Sequence, residues 1–236
     1  LVEICCGSAE DAIEAWHGGA DRVELCSALY LGGLTPSLGA LLELKAQTEI
    51  EVAAMIRPRQ GGFCYSKSDF RTALNDAELM LQHGADALVV GFLHEDGRID
   101  FARTRAIVEL ADGVPVCFHR AIDVVPDWRE ALDGLMGIGV QRLLSSGQAP
   151  SAYQGRFVLR AMIAYAAGRL QVMPGGGIRA GNVHELLAVT GAREIHLGGV
   201  SRLMQDNSTQ YNSDLRFGDP KSPPENEYKR VSRDAV

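Results

Sequence analysis

The 236-residue chain is 46% hydrophobic and 22% charged, with a net charge of −7. That acidity argues against a nucleic-acid or anionic-membrane surface, and no apolar run approaches the roughly 18 residues a membrane span needs. The length is close to the roughly 250 residues of a one-domain (β/α)8 barrel, so one large core is feasible. Cys5, Cys6, Cys26, Cys64 and Cys117 are an odd, dispersed set without a CxxC pair. They predict free thiols in a reducing cytoplasm rather than a disulfide framework. Leu1 in place of Met is expected to reflect a trimmed N-terminus, and no signal-peptide pattern precedes the first strand.

Strand-like runs and amphipathic helices alternate along the chain. The strands are read at Val2–Cys6, Arg22–Cys26, Val52–Arg57, Ala87–Gly91, Val114–His119, Arg142–Ser145, Leu170–Met173 and Glu194–Leu197. Ser8 is placed to cap a helix over Ala9–His17, and Ser37 one over Leu38–Gln47. A longer helix opens at Ser66 or Ser68 and runs to His83. Asp100–Leu110, Asp127–Met136, Arg156–Ala167 and Asn182–Thr190 complete the set. Eight strands joined by crossover helices give a parallel sheet, closed as a TIM barrel.

An internal repeat supports closure. Gly19-Ala20-Asp21, Gly84-Ala85-Asp86, Gly139-Val140-Gln141 and Gly191-Ala192-Arg193 each end a helix and precede strands two, four, six and eight. Counting from these glycines aligns Glu24, Val89, Leu144 and His196 on one strand face, read as the lumen. Val23, Leu88, Leu143 and Ile195 then face the helices. Residues 1–200 are read as the barrel domain, and 201–236 as a polar C-terminal extension packing on it. The extension contains Ser222-Pro223-Pro224, and Glu225–Val236 reads as the start of a short or incomplete last helix.

The chemistry-bearing residues gather at strand ends. Glu3-Ile4-Cys5 and Glu24-Leu25-Cys26 share one pattern, and i, i+2 spacing turns carboxylate and thiol the same way. Cys5 and Cys26 on adjacent strands are either small core residues or ligands for a soft ion such as Cu(I), or for zinc. Arg57 and Arg59 extend toward the mouth, where a guanidinium binds an anion or neutralises Glu3 or Glu24. His119 stands where acid–base chemistry is done in barrels, with Asp123 able to orient it or to bind substrate. Ser145 and Ser146 are placed to donate hydrogen bonds. Gly175-Gly176-Gly177, between a strand and Asn182 at a helix start, is either an anion cradle or a plain glycine turn. His17, His83, His94 and His184 read as surface residues.

Taken together these motifs resemble the CutC copper homeostasis family. The resemblance is carried by Glu3-Ile4-Cys5, Gly18–Cys26, Gly32–Ser37, Ile56-Arg57-Pro58-Arg59, Asp96–Asp100, Phe118-His119-Arg120-Ala121, Ser146-Gly147 and Met173–Gly177. It implies a cytoplasmic TIM barrel linked to copper, with Cys5 and Cys26 matching the cysteines proposed to bind Cu(I). Two departures stand out: His196 is followed by Leu197-Gly198-Gly199 rather than small hydroxyl residues, and the tail after Val200 matches loosely. The alternative expectation is a lyase-, isomerase- or hydrolase-like barrel enzyme acting on a small phosphorylated or carboxylated metabolite. Its catalytic candidates are His119, Arg57, Asp123 and Glu24. Its anion-binding candidates are Arg59, Ser146, Gly175, Gly176 and Gly177. A homo-oligomer, with a dimer as the working guess, is expected in either case.

Overall fold

The computed structural model describes residues 1–212, 214–215, 217 and 224–236. Ser222 and Pro223 lie outside the described residues. Strands and helices alternate as β1 (Val2–Cys6), α1 (Ala9–His17), β2 (Arg22–Leu25), α2 (Leu38–Gln47), β3 (Glu51–Met55), α3 (Lys67–Gln82), β4 (Ala87–Val90) and α4 (Phe101–Ala111). They continue as β5 (Val116–Phe118), α5 (Trp128–Gly137), β6 (Arg142–Ser145), α6 (Arg156–Ala166), β7 (Gln171–Pro174), α7 (Val183–Thr190) and β8 (Ile195–Leu197). The eight strands are parallel, in the order β7-β6-β5-β4-β3-β2-β1-β8. A single bridge between Gly175 and His196 joins β7 to β8 and closes the TIM barrel.

The helix starts follow local chemistry. Ser8, Ser37, Ser66, Asp100 and Asp127 each accept a first-turn amide, and Ser66 forms a reciprocal capping box with Asp69. Gly19, Gly84, Gly139 and Gly191, the repeat glycines, all adopt positive φ, as a left-handed helix stop requires. Cys26 falls just beyond β2, although its N–H still bonds the Cys6 carbonyl at 2.9 Å. Arg57 leaves β3 because its N–H turns to the Thr35 hydroxyl at 3.0 Å.

Side chains separate into an inner and an outer set. Ile4, Val23, Leu25, Leu88, Phe118, Leu143 and Val172 point outward and pack under the helices. Burying each of these from water contributes about 1.5–3 kcal/mol. The lumen holds Cys26, Ala53, Met55, Ala87, Val89, Cys117, Leu144 and Met173, with Cys5 against them. Val89 and Leu144 thus face inward as the repeat register requires. At the N-terminal end of the lumen, Arg22 is fully buried between Glu3 at 2.5 Å and Glu194 at 2.8 Å.

The tail departs from the expected last helix. Glu227–Val231 is a strand, β10, paired antiparallel with β9 (Ser201–Gln205). Tyr228, Val231 and Ala235 do fall at i, i+3 and i+7, so helical spacing alone does not decide the segment. Strand pairing satisfies the backbone. The Val231 N–H also donates to Asp11 Oδ1 at 2.7 Å, and Arg233 pairs with Glu14 at 2.9 Å, pinning the tail to α1.

Candidate metal centre

Four lumenal side chains converge where β1, β2 and β8 adjoin. Cys5 lies opposite Glu24 in the β1–β2 register, and Glu3 lies opposite His196 in the β1–β8 register. Cys5 Sγ and Cys26 Sγ both donate to Glu24 Oε2 at 3.5 Å, and His196 Nε2 is 3.9 Å from the same oxygen. Ligand atoms of Cys5, Glu24 and His196 all lie within 4.8 Å of one another. Cys26 joins this group through its bond to Glu24. Glu24 Oε1 is buried without a partner, an acceptor that a cation would satisfy.

The electrostatics of the cluster are mutual. The Cys26 hydrogen bond, helped by His196 and Glu24, holds the Cys5 thiol well below the usual thiol range despite burial. Hydrogen bonding with Cys5 and full burial push the Cys26 thiol well above it. Burial outweighs the attraction of His196 and raises the Glu24 carboxyl to about 8. For His196 burial opposes the charged ring, but Glu24, Cys5 and Glu3 outweigh it and lift the imidazole well above its ordinary value. Glu3 is itself held below the carboxylate range, because His196 and Arg22 overcome its burial.

Strand register also bears on what the thiols can do. Cys26 lies two residues beyond the partner of Cys5. With about 4.8 Å between strands and about 3.3 Å per residue, the two Cα atoms are roughly 8 Å apart. That exceeds the about 7 Å limit for a disulfide without backbone movement, and all five cysteines are free. Cys5 is half-buried and borders a cavity of about 1030 Å³ reaching Leu29, Tyr30, Leu203 and Tyr228. Cys26 is covered by Gly33, where a Cβ would stand 3.2 Å from Sγ.

Arg22, rather than Arg57, is the cation that pairs with Glu3. Arg57 is buried and fixed by the carbonyls of Leu31, Gly33 and Gly61 at 2.8–2.9 Å. Arg59 bonds Asp69 and the carbonyls of Gln60, Gly62 and Cys64, away from the lumen. Among the described residues no hydrogen bond joins Asp123 to His119. The Asp123 oxygens accept from Ser145 Oγ, Ser146 N and Oγ, Gln148 N and Arg120 Nε, which anchors the loop after β6. Ser146 Oγ also donates to the Ala149 carbonyl.

The triple glycine is tied into the fold as well. Gly175 N donates to Ser145 O at 2.9 Å, while the carbonyls of Gly176 and Gly177 accept from Ala152 N and Asn182 Nδ2. A Cβ on Gly175 would lie 2.5 Å from Leu144 Cδ1 on β6 and 3.2 Å from His196 Cβ on β8, so the glycine permits the close approach at which β7 meets β8. Asn182 occupies the start of α7 without capping it, accepting instead from Arg179 N at 2.9 Å. His17, His83, His94 and His184 are exposed.

His196, with Glu3 behind it, and Glu24, expected only as a catalytic candidate, both lie outside the metal set of Cys5 and Cys26 that the sequence suggests. The repeat register had placed His196 in the lumen beside Glu24, and the two-residue parity of β1 put Glu3 on the same face. Those two facts were the available signal.

The comparisons agree with this architecture. The CutC family model matches residues 1–201. A CutC family protein of Treponema denticola is 46% identical over 235 residues, covering 100% of this chain and 95% of that protein. The Homo sapiens copper homeostasis protein cutC homolog is 42% identical over 219 residues, 92% of this chain and 80% of that one. A Streptococcus agalactiae CutC crystal structure superposes with a TM-score of 0.79 at 33% identity, covering 84% of this chain and 97% of its own. The chain belongs to the CutC family, named for copper homeostasis.

Proposed function

We propose that this protein serves copper homeostasis by binding Cu(I) directly at the β1–β2–β8 junction. Cys5 Sγ, Cys26 Sγ and His196 Nε2 are the ligands, with Glu24 completing the set. The observation that carries the reading is the convergence of Cys5, Glu24 and His196 within 4.8 Å. Thiolate and imidazole suit a soft monovalent ion. The Glu3–His196 bond supplies the carboxylate–histidine arrangement that orients a metal-bound imidazole. Binding displaces the protons held on His196, Cys26 and Glu24. The cytoplasm is the compartment assigned, because free thiols persist there. No described helix is long and apolar enough to cross a membrane.

X-ray absorption on the anaerobically Cu(I)-loaded protein tests the ligand set. A shell of sulfur with one lighter nitrogen or oxygen neighbour is expected. A copper environment without sulfur, or zinc retained while Cu(I) is refused, would contradict the reading.

A further inference from the structure

The four residues of the thiol cluster are unequally placed for approach from outside. Cys26, Glu24 and His196 are buried, at 1%, 3% and 8% exposed, whereas Cys5 is half-buried. Of these four, Cys5 is the one in the lining of the cavity of about 1030 Å³. Whatever arrives through that cavity meets the Cys5 sulfur first.

The cavity is built from fixed parts. One wall is the turn after β2 that carries Leu29 and Tyr30. Arg57 Nη1 holds this turn by donating to the Leu31 and Gly33 carbonyls at 2.9 Å. The facing wall is the β9–β10 hairpin. Ser201 pairs with Val231, Leu203 with Lys229 and Gln205 with Glu227, so these six share one face of the two-stranded sheet. Val231 is buried in the core, which turns that face toward the barrel. Asp11 ties the hairpin to the β1–α1 loop, accepting from Val231 N at 2.7 Å and Gly7 N at 3.0 Å.

Size and polarity point to an organic occupant. About 1030 Å³ is the space of a small-molecule pocket, for which roughly 300–1,000 Å³ is usual, and far exceeds a bare ion. Leu29, Leu203 and Tyr30 give it apolar sides. Among its charged residues Glu10 is paired with Arg230, and Asp11 is occupied by the two backbone amides. Glu227 and Lys229, two positions apart on the inner hairpin face, then present one charge of each sign.

We propose that this cavity receives Cu(I) as a complex with a small zwitterionic thiol, of amino-acid or short-peptide size, and that the copper passes from the carrier sulfur to Cys5. The inference rests on the copper reading above. Thiolate is the donor that holds this soft ion. The carrier lies between Leu29 and Leu203, with its ammonium toward Glu227 and its carboxylate toward Lys229. Cys5 Sγ bonds to copper as one carrier thiolate leaves. Cys26 displaces the second, and its proton passes to the departing sulfur. Copper stays Cu(I) throughout, so no oxidant or reductant takes part.

Two measurements on the Cys64→Ser protein, in which Cys5 is the one cysteine not buried, test this. Without copper, S-methylglutathione is expected to protect Cys5 from iodoacetamide saturably. Leu203→Trp, which fills the cavity from the hairpin side, is expected to weaken that protection at least about tenfold. With copper, the transfer rate from Cu(I)–glutathione is expected to saturate with donor concentration. In Leu203→Trp that rate is expected to fall at least about tenfold, while the equilibrium affinity for Cu(I) against a chelator stays unchanged. Refusal of Cu(I) at equilibrium by a protein whose Cys5 is protected overturns the copper reading and the transfer with it. Normal Cu(I) affinity with Cys5 unprotected, or with a rate linear in donor, overturns the carrier proposal alone. Should Leu203→Trp not fold, protection and saturation in the Cys64→Ser protein decide.

Discussion

Glu3 Oε1 and His196 Nδ1 are 2.7 Å apart, and this one contact sets the direction in which the imidazole works. With Nδ1 turned to a carboxylate, Nε2 is the nitrogen left facing Cys5 and Glu24. Arg22 holds the other Glu3 oxygen at 2.5 Å, so the buried carboxylate links the ion pairs at the base of the barrel to the thiol cluster above them.

Glu3→Gln removes the charge from this link while leaving an oxygen to accept the Nδ1–H. Cu(I) affinity is expected to fall about 10–100-fold, the usual effect of losing a carboxylate behind a metal-bound histidine. A chelator competition checks this, with circular dichroism confirming the fold. An unchanged affinity would remove His196 from the ligand set.

Arg22 has no exposed surface and faces Glu3, Glu194 and Glu51. Arg22→Met strands two buried or half-buried carboxylates and is expected to cost about 3–5 kcal/mol, read from the urea unfolding midpoint. Replacing Glu3 as well, in Arg22→Met/Glu3→Met, is expected to recover part of that loss. A loss below about 1 kcal/mol in the single variant, the scale of a surface pair, would show that the ion cluster does not hold the barrel base.

His119 gives stability a pH dependence whose sign follows from burial. Its folded value lies near about 3, below the ordinary histidine value of about 6.5. Between those limits the unfolded chain binds the extra proton, so stability falls as pH drops from about 6.5 toward 3, by up to about 1.4 kcal/mol per pH unit. His119→Phe is expected to flatten this part of the acid limb. Urea midpoints at about pH 7 and about pH 5 measure the difference, and parallel profiles for the two proteins would contradict a buried neutral His119.

Most of the barrel was legible because two periodicities agree. Ser8, Ser37 and Ser66 begin helices where their hydroxyls cap them, and the glycine repeat gives the inward parity of Glu24, Val89, Leu144 and His196. The Glu-x-Cys pairs likewise led to the thiol cluster. Arg57, Arg59 and Asp123 were harder to read, because charged residues at a barrel mouth bind ligands or tie loops with the same donors and acceptors. Here local carbonyls and amides take up most of those groups, a choice that depends on loop geometry rather than residue type. The C-terminal strand was missed for a related reason. Its pairing with β9 joins segments more than twenty residues apart, and α1 supplies the acids that hold it.

The most direct test of the copper assignment is an anaerobic Cu(I) competition titration against a chromogenic chelator, comparing wild type with Cys5→Ser/Cys26→Ser. Wild type is expected to withdraw one Cu(I) per chain from the chelator. The double variant, deprived of both soft ligands, is expected to bind at least about 100-fold more weakly, or roughly 2.7 kcal/mol. Equal affinity in the two proteins would contradict Cu(I) binding by this pair.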